Sequence, residues 1–459
     1  MVMAALAACA IQAPPTSEEI RKDALPDLTL PTKWQARSTQ GMVSDDWLAN
    51  FADPDLDALV AEALTHNLNL RVAATRVEQA SAYADAAHAA LLPAINLLGT
   101  GGIKLGGGDL SSALQGVLLG ISWEPDLWGR LRYGRAAADS SLLAAQADFE
   151  FARQSLAATT ARSWFYASET LLLRGIADEI VRAAAELVAL AQQRNTIGIG
   201  NQQDIAKAQA LLAQFQDARR QLELAHGQAV RALELLLGRY PRTELQARAD
   251  LPPLPGPVPV GMPLEMLERR PDLIAAERRV AAAFQRVGEA KATKLPSISL
   301  NASAALIDSD IVDLKSDYEN PALGAGATFV APLYRGGALD AQEQIRTAQQ
   351  REAVADYGGR VLTALGEVEC ALASGQALAD RREALQRMLA ENERALVMER
   401  DSYRIGRSDL RAVQQQLLAV GSARTALTSL RSAELAQRIS LHLVLGGSFE
   451  RRPEPVPPD

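Results

Sequence analysis

Ser297-Ile298-Ser299-Leu300-Asn301-Ala302-Ser303-Ala304 alternates without a break. Ile298, Leu300, Ala302 and Ala304 fall on one side; Ser297, Ser299, Asn301 and Ser303 fall on the other, the period of two that a strand imposes. Val117, Leu119, Ile121 and Trp123 alternate with Leu118, Gly120, Ser122 and Glu124, and Ala325, Ala327, Phe329 and Ala331 alternate with Gly326, Thr328 and Val330. A weaker strand starts at Ala94 and carries Gly99, Gly101 and Gly102. Strands of about 9–11 residues with one apolar face suit a bilayer-spanning barrel. A water-soluble sheet with one face in a core gives the same alternation. Four strands are too few to close a barrel, which takes about eight, so closure needs further chains. The joining stretches, Gly106 to Asp109 and Asp308 to Asn320, are glycine-rich or acidic, as water-facing loops are. Trp123 and Trp128 flank a strand end, either as a membrane-interface aromatic belt or as anchors between helix and strand.

Around the strands the period changes to that of helices. Leu173, Ile180 and Leu187 interleave with Ile176, Ala183, Leu190 and Ile197 at 3–4 spacing. Ala208, Phe215, Leu222, Ala229 and Leu236 interleave with Leu211, Ala218, Ala225 and Ala232 in the next segment. Such heptads specify coiled-coil packing, with alanine layers that let backbones approach closely. The expected order is a helix of about 25 residues (67–91, and again 271–294), two strands, a very long helix (131–197, 338–405), a glycine turn, and a closing helix (202–238, 408–446). At 1.5 Å per residue the long helix is a rod of about 100 Å, beyond any ordinary globular helix. The fold class is therefore mainly α with a small β part, a long coiled-coil helical wall carrying four strands. An ordinary helical bundle is the plainer alternative.

The chain also resembles itself. Leu92-Pro93-Ala94-Ile95-Asn96-Leu97 matches Leu295-Pro296-Ser297-Ile298-Ser299-Leu300 at an offset of 203; Arg194…Ile199-Gly200 matches Arg400…Ile405-Gly406 at 206; Leu237-Gly238 matches Leu445-Gly446 at 208. Two copies of one unit are expected, at 47–240 and 263–447, joined by a proline-rich linker at 241–262 and followed by a disordered tail at 448–459. Leu6-Ala7-Ala8-Cys9 resembles the lipobox of bacterial lipoproteins, so residues 1–8 read as a signal-peptide remnant, Cys9 as the lipidated residue and 9–46 as a tether. A chance cysteine in an alanine-rich stretch is the alternative. Eight uncharged residues are short for a secretory signal, so further residues are expected upstream.

Composition excludes several functions. The 459 residues carry a net charge of −8 with no basic block, a poor match for nucleic acid. Hydrophobic residues make up 48%, enough for a large core. No run of about 18 apolar residues predicts a transmembrane helix. The two cysteines stand 361 positions apart, and the four histidines lack metal-ligand spacing. Gly99-Thr100-Gly101-Gly102-Ile103-Lys104 lacks the spacing of a phosphate-binding loop, and no GxSxG elbow occurs. Cys370, between Glu367-Val368-Glu369 and Ala371, is expected as a buried structural thiol. The expectation is a protein without catalysis, cofactor or metal.

Arg270-Pro271-Asp272-Leu273 with Ala276-Glu277-Arg278-Arg279, Lys294-Leu295-Pro296-Ser297-Ile298-Ser299-Leu300, Ser122-Trp123-Glu124-Pro125-Asp126-Leu127-Trp128-Gly129-Arg130, Pro332-Leu333-Tyr334-Arg335-Gly336-Gly337 and Tyr403-Arg404-Ile405-Gly406 occur in this order. Taken together they resemble the TolC-like outer-membrane efflux protein family, in its NodT-type lipoprotein branch. The resemblance implies a homotrimer with a shared 12-stranded barrel and a helical tunnel across the periplasm of a Gram-negative bacterium. It implies lipid anchoring in the outer membrane, docking to a periplasmic adaptor, and an inner-membrane pump of the RND type. The implied function is a passive exit duct for small molecules; a duct for secreted proteins and a non-channel coiled-coil lipoprotein are the alternatives. Four His and seven Met speak weakly against soft-metal cargo. The resemblance also implies a gate at the periplasmic helix tips. Tyr403, Arg404 and Asp409 are the candidates in the second copy, with the turn at Gly406; Arg194 and Asp204, with Gly200, are those of the first. Gln415 stands where many relatives carry a constriction-lining Asp. Helix caps and solvated side chains are the competing reading of the same residues.

Overall fold

The structure, a computed structural model, describes residues 11–100, 115–308 and 321–450. Cys9, the Gly106–Asp109 loop, the acidic loop beyond Asp308 and the last nine residues lie outside them. In order the elements are α1 (Ser17–Ala24), a 3-10 turn (Leu48–Phe51), α2 (Pro54–His66), α3 (Leu68–Ala89), β1 (Ala94–Thr100), β2 (Gln115–Trp123), α4 (Arg130–Thr196), α5 (Gln202–Leu236), α6 (Pro263–Arg269), α7 (Pro271–Ala292), β3 (Ser297–Asp308), β4 (Ala322–Val330), α8 (Ala338–Arg404) and α9 (Leu410–Val444). The long helices are 67 residues each and the closing helices 35 each. The expected order is observed. The sequence reading missed α1, α2, the 3-10 turn and α6, all short. Two compact units emerge: one holds residues to Leu28, Thr75–Asp148 and Asp272–Arg360, the other Thr29–Ala74, Phe149–Pro271 and the chain from Val361.

The first unit contains the sheet. Its strands run antiparallel in the order β1-β2-β3-β4, so β1 and β4 are free edges. The register sets Leu97 opposite Leu119, Leu119 opposite Ala304 and Ala304 opposite Leu323. One face therefore collects Ile95, Val117, Ile121, Leu300, Ala325 and Phe329 with their neighbours, all apolar. The other collects Asn96, Ser122, Ser299, Asn301, Ser303 and Thr328, with Gly116, Gly120, Gly324 and Gly326. No described helix covers the apolar face: Leu97 is 72% exposed, Leu323 82% and Phe329 66%. Trp123 donates its indole N–H to the Leu91 carbonyl at 2.9 Å and Trp128 to that of Pro296 at 2.6 Å, which ties the strand ends to the helices. Both rings stay partly exposed, so each serves as an anchor while remaining open to its surroundings.

The second unit packs around aromatic side chains that the periodicity did not reveal. Phe51 meets Trp47 edge-on at 6.2 Å and Phe165 at 5.3 Å. Asp53 caps α2 by accepting from the Asp55 and Leu56 amides, and its other oxygen accepts the Trp164 indole N–H at 2.9 Å. Buried Glu234 accepts the backbone amides of Thr243 (2.8 Å), Glu244 (2.7 Å) and Leu245 (3.1 Å). Burial raises this carboxyl, and the backbone amides that donate to it more than offset that, holding it below the usual carboxylate range. The start of the proline-rich linker is thereby clamped to α5.

Four details differ from the sequence reading. On α4 the buried seam is Leu173, Ala177, Ala184, Leu187 and Ala191, one position past the expected Ile176, Ala183 and Leu190. Alanine wins these sites because it permits the closest approach of a neighbouring helix. The expected tail begins too early: Ser448 and Phe449 are buried, and Arg153 lies 5.5 Å over the Phe449 ring. The polar stretch read as tether contains α1, closed by a capping box between Thr16 and Glu19, with Ile20 buried. Cys370 is exposed rather than buried, because it sits off the stripe of Val361, Ala364, Val368 and Leu372 by which α8 packs.

His442 is 2% exposed, stacked 6.1 Å from Trp47. Burial, with Arg438 adding repulsion, lowers its pKa to about 4 from the ordinary 6.5 of histidine. Between these values the unfolded chain takes up a proton that the folded one refuses. Stability is therefore complete above pH 6.5 and falls as the pH drops toward 4. The loss is about 1.4 kcal/mol per pH unit at most. Thermal melting followed by circular dichroism should show this slope below pH 6.5, and His442→Gln should flatten it; an unchanged slope would assign the acid sensitivity elsewhere.

Candidate functional site: the helix tips

Each long helix turns into its partner by the same device. After α4 the chain reaches Gly198 at φ +80°, and the Ile199 and Gly200 amides both donate to the Arg194 carbonyl at 3.0 and 2.9 Å. After α8, Gly406 has φ +79°, and the Arg407 and Ser408 amides donate to the Ser402 carbonyl at 2.8 and 3.2 Å. The left-handed residue must lack a Cβ to turn without strain. Asn201 then caps α5 by accepting from the Asp204 amide (2.7 Å), and Asp409 caps α9 by accepting from Ala412 (2.9 Å).

This geometry revises the register read from the sequence. Helix ends at Thr196 and Arg404, and caps at Asn201 and Asp409, both give an offset of 208, not 206. Gly198 is thus the counterpart of Gly406. Gly200 is needed for a different reason: a Cβ there would come within 2.7 Å of the Asn195 amide nitrogen. An Ile-Gly pair occurs at 197–198 and again at 199–200, which is why the sequence admitted both registers.

The tips of the two halves touch through Arg194 and Tyr403. The Arg194 guanidinium lies 4.5 Å over the Tyr403 ring and donates to the Tyr403 carbonyl. A second donation reaches the Ile199 carbonyl at 3.3 Å. Tyr403 is 1% exposed among Leu187, Ala191, Leu410, Val413 and their neighbours. Burial pushes its phenol up, the Asp204 carboxylate adds to this, and Arg194 opposes both. Its hydroxyl has no partner among the described residues. Away from the tip, Arg400 pairs with Glu186 at 3.3 Å, and Arg424 bridges Glu179 (2.9 Å) and Glu393 (2.6 Å).

The remaining candidates stand apart. Arg404 is exposed and reaches Asp401, one turn back, at 3.6 Å. Asp409 is occupied as a helix cap. Gln415 lies on the exposed side of α9, whereas its neighbour Gln416 bonds to Asn392. The structure thus brings Arg194 and Tyr403 into contact, with the Asp204 charge acting on the phenol, and leaves Arg404, Asp409 and Gln415 outside that contact.

Two segments of the chain, 59–239 and 262–447, match the same family model, that of the outer membrane efflux proteins. The chain belongs to this family. It is 30% identical over 443 residues to the pyoverdine export outer membrane protein OpmQ of Pseudomonas aeruginosa, covering 92% of each chain. It is 29% identical over 410 residues to the cation efflux system protein CusC of Escherichia coli, covering 87% of this chain and 88% of that one. The solved outer-membrane channel OprN superposes with a TM-score of 0.82 at 26% identity, over 92% of this chain and 99% of that one. The protein is an outer-membrane efflux duct, and its family is one of channels rather than enzymes. No described helix is long and apolar enough to cross a membrane.

Tyr403→Phe removes only the partnerless hydroxyl and should leave the melting temperature unchanged or higher. Tyr403→Ala empties a buried ring site and should cost about 3 kcal/mol. Equal losses from both substitutions would mean that the hydroxyl is bonded after all.

Proposed function

We propose that three copies of the chain form one passive duct, each supplying four strands to a 12-stranded barrel in the outer membrane. The observation that carries this reading is the sheet itself. Both edges are free and one whole face is apolar and uncovered. In lipid each unpaired backbone group is expensive, so a sheet in a bilayer must close on itself or on copies of itself. The exposed rims of Trp123 and Trp128 fit the headgroup level. Acylation of Cys9 supplies the second membrane anchor.

The helix tips hold the duct shut, with Arg194 and Tyr403 as the clasp and the Asp204 charge acting on it. Docking of a periplasmic adaptor, joined to an inner-membrane pump of the RND type, releases it and provides the energy. Relatives differ in cargo by name, pyoverdine export for OpmQ and cation efflux for CusC. Four histidines, seven methionines and the uncharged Gln415 favour a small organic molecule over a soft metal ion here.

Planar-bilayer recordings of the purified protein should show a channel that is mostly closed. Arg194→Ala and Tyr403→Ala should raise its open probability severalfold, and Arg404→Ala should leave it unchanged. Equal behaviour of all three variants would remove the clasp. Cys9→Ala should abolish incorporation of labelled palmitate; persistent labelling would overturn the lipid anchor.

A further inference from the structure

Within one chain, α7 packs on α4, and three contacts define how. Arg279 pairs with Asp148. The Tyr133 ring lies against Gly288, where a Cβ would come within 2.4 Å of it. The Glu289 carboxylate fills the space beside Gly134, 3.4 Å from where its Cβ would stand. All six residues are half-buried.

Element ends give two offsets. From α3 to α7 it is 203, and from α4 to α8 it is 208. The strands obey the same pair: Ala94 opposite Ser122 becomes Ser297 opposite Val330. Each α7–α4 contact can therefore be transposed onto α3 and α8. Arg279 with Asp148 becomes Arg76 with Asp356, so the ion pair is kept. Gly288 with Tyr133 becomes Asp85 with Ala341, and Glu289 with Gly134 becomes Ala86 with Gln342. At both places small and large have changed sides, so each contact still pairs one large residue with one small one. All six transposed residues are exposed in the chain. Whereas α7 buries Leu273, Ala276, Val280, Val287 and Ala290, the buried residues of α3 are Leu70 and Ala84.

We infer that the exposed face of α3 docks on α8 of a second copy of this chain, in the register that sets Arg76 against Asp356, Asp85 against Ala341 and Ala86 against Gln342. The inference rests on the assembly proposed above and specifies its seam. The same transposition carries the β2–β3 pairing of Ser122 with Asn301 onto the free edges, placing Val330 of one copy opposite Leu98 of the next. Helix and strand registers thus call for one and the same neighbour. The arginine on α3 meets the opposite charge on α8, where Asp356 already pairs with Arg360 of its own chain at 2.8 Å and takes Arg76 as a second partner.

The test is thiol cross-linking of the full chain in outer-membrane extracts. In a Cys370→Ser background, Asp85→Cys combined with Ala341→Cys should give dimer and trimer bands with a short bifunctional thiol reagent. Either substitution alone, or Asp85→Cys with Ile345→Cys one turn away, should give none. Arg76→Glu and Asp356→Lys should each weaken association about tenfold, and their combination should recover most of it. A trimer by light scattering that yields no Asp85–Ala341 cross-link overturns this register and leaves the duct standing. A monomer under the same conditions overturns both.

Discussion

Backbone hydrogen bonding in a medium without water is the constraint from which the rest of this structure follows. A four-stranded sheet with two open edges is unremarkable in water, where solvent pairs the edge groups. In lipid each unsatisfied group costs several kcal/mol. The register makes the problem sharper, because it places Ile95, Val117, Leu300 and Phe329 on one continuous apolar face that no described helix covers.

The helical part answers a different demand. Helices of 67 residues cannot be packed against one deep core along their whole length. Alanine at Ala177, Ala184 and Ala191 brings neighbouring helices close enough for dispersion contacts to add up along many turns. Where a thicker core exists, in the second unit, it is built from Trp47, Phe51, Trp164 and Phe165, and polar clamps at Asp53 and Glu234 fasten connecting segments to it. Asp53 serves the open amides at the start of α2, and Glu234 serves those of a segment without regular structure, so both sets find their partners in a side-chain carboxylate.

Duplication explains how one chain can furnish unlike surfaces. The two tips share a turn, a capping position and a length, yet one brings an arginine and the other a tyrosine to the contact. Likewise α7 and α3 descend from one pattern, but α7 is enclosed and α3 is bare. Divergence at matched positions makes the two halves complementary rather than alike.

Strand alternation at Ser297–Ala304, the heptads of the long helices and the doubled Leu-Pro motif were legible in the sequence, because each is a local period imposed by backbone geometry. They determined the element order, the repeat and the family resemblance. Tertiary structure decided what periodicity cannot encode. It selected Ala184 over Ala183 for the seam, since only packing distance distinguishes adjacent positions on a helix. It chose Gly198 over Gly200 as the turning residue, since two Ile-Gly pairs stand side by side and backbone φ alone separates them. It exposed Cys370 and buried Phe449, because burial depends on which neighbours arrive from distant parts of the chain. And it joined Arg194 to Tyr403 while leaving Arg404 in solvent, a choice set by where two helices end in space rather than by the residues that end them.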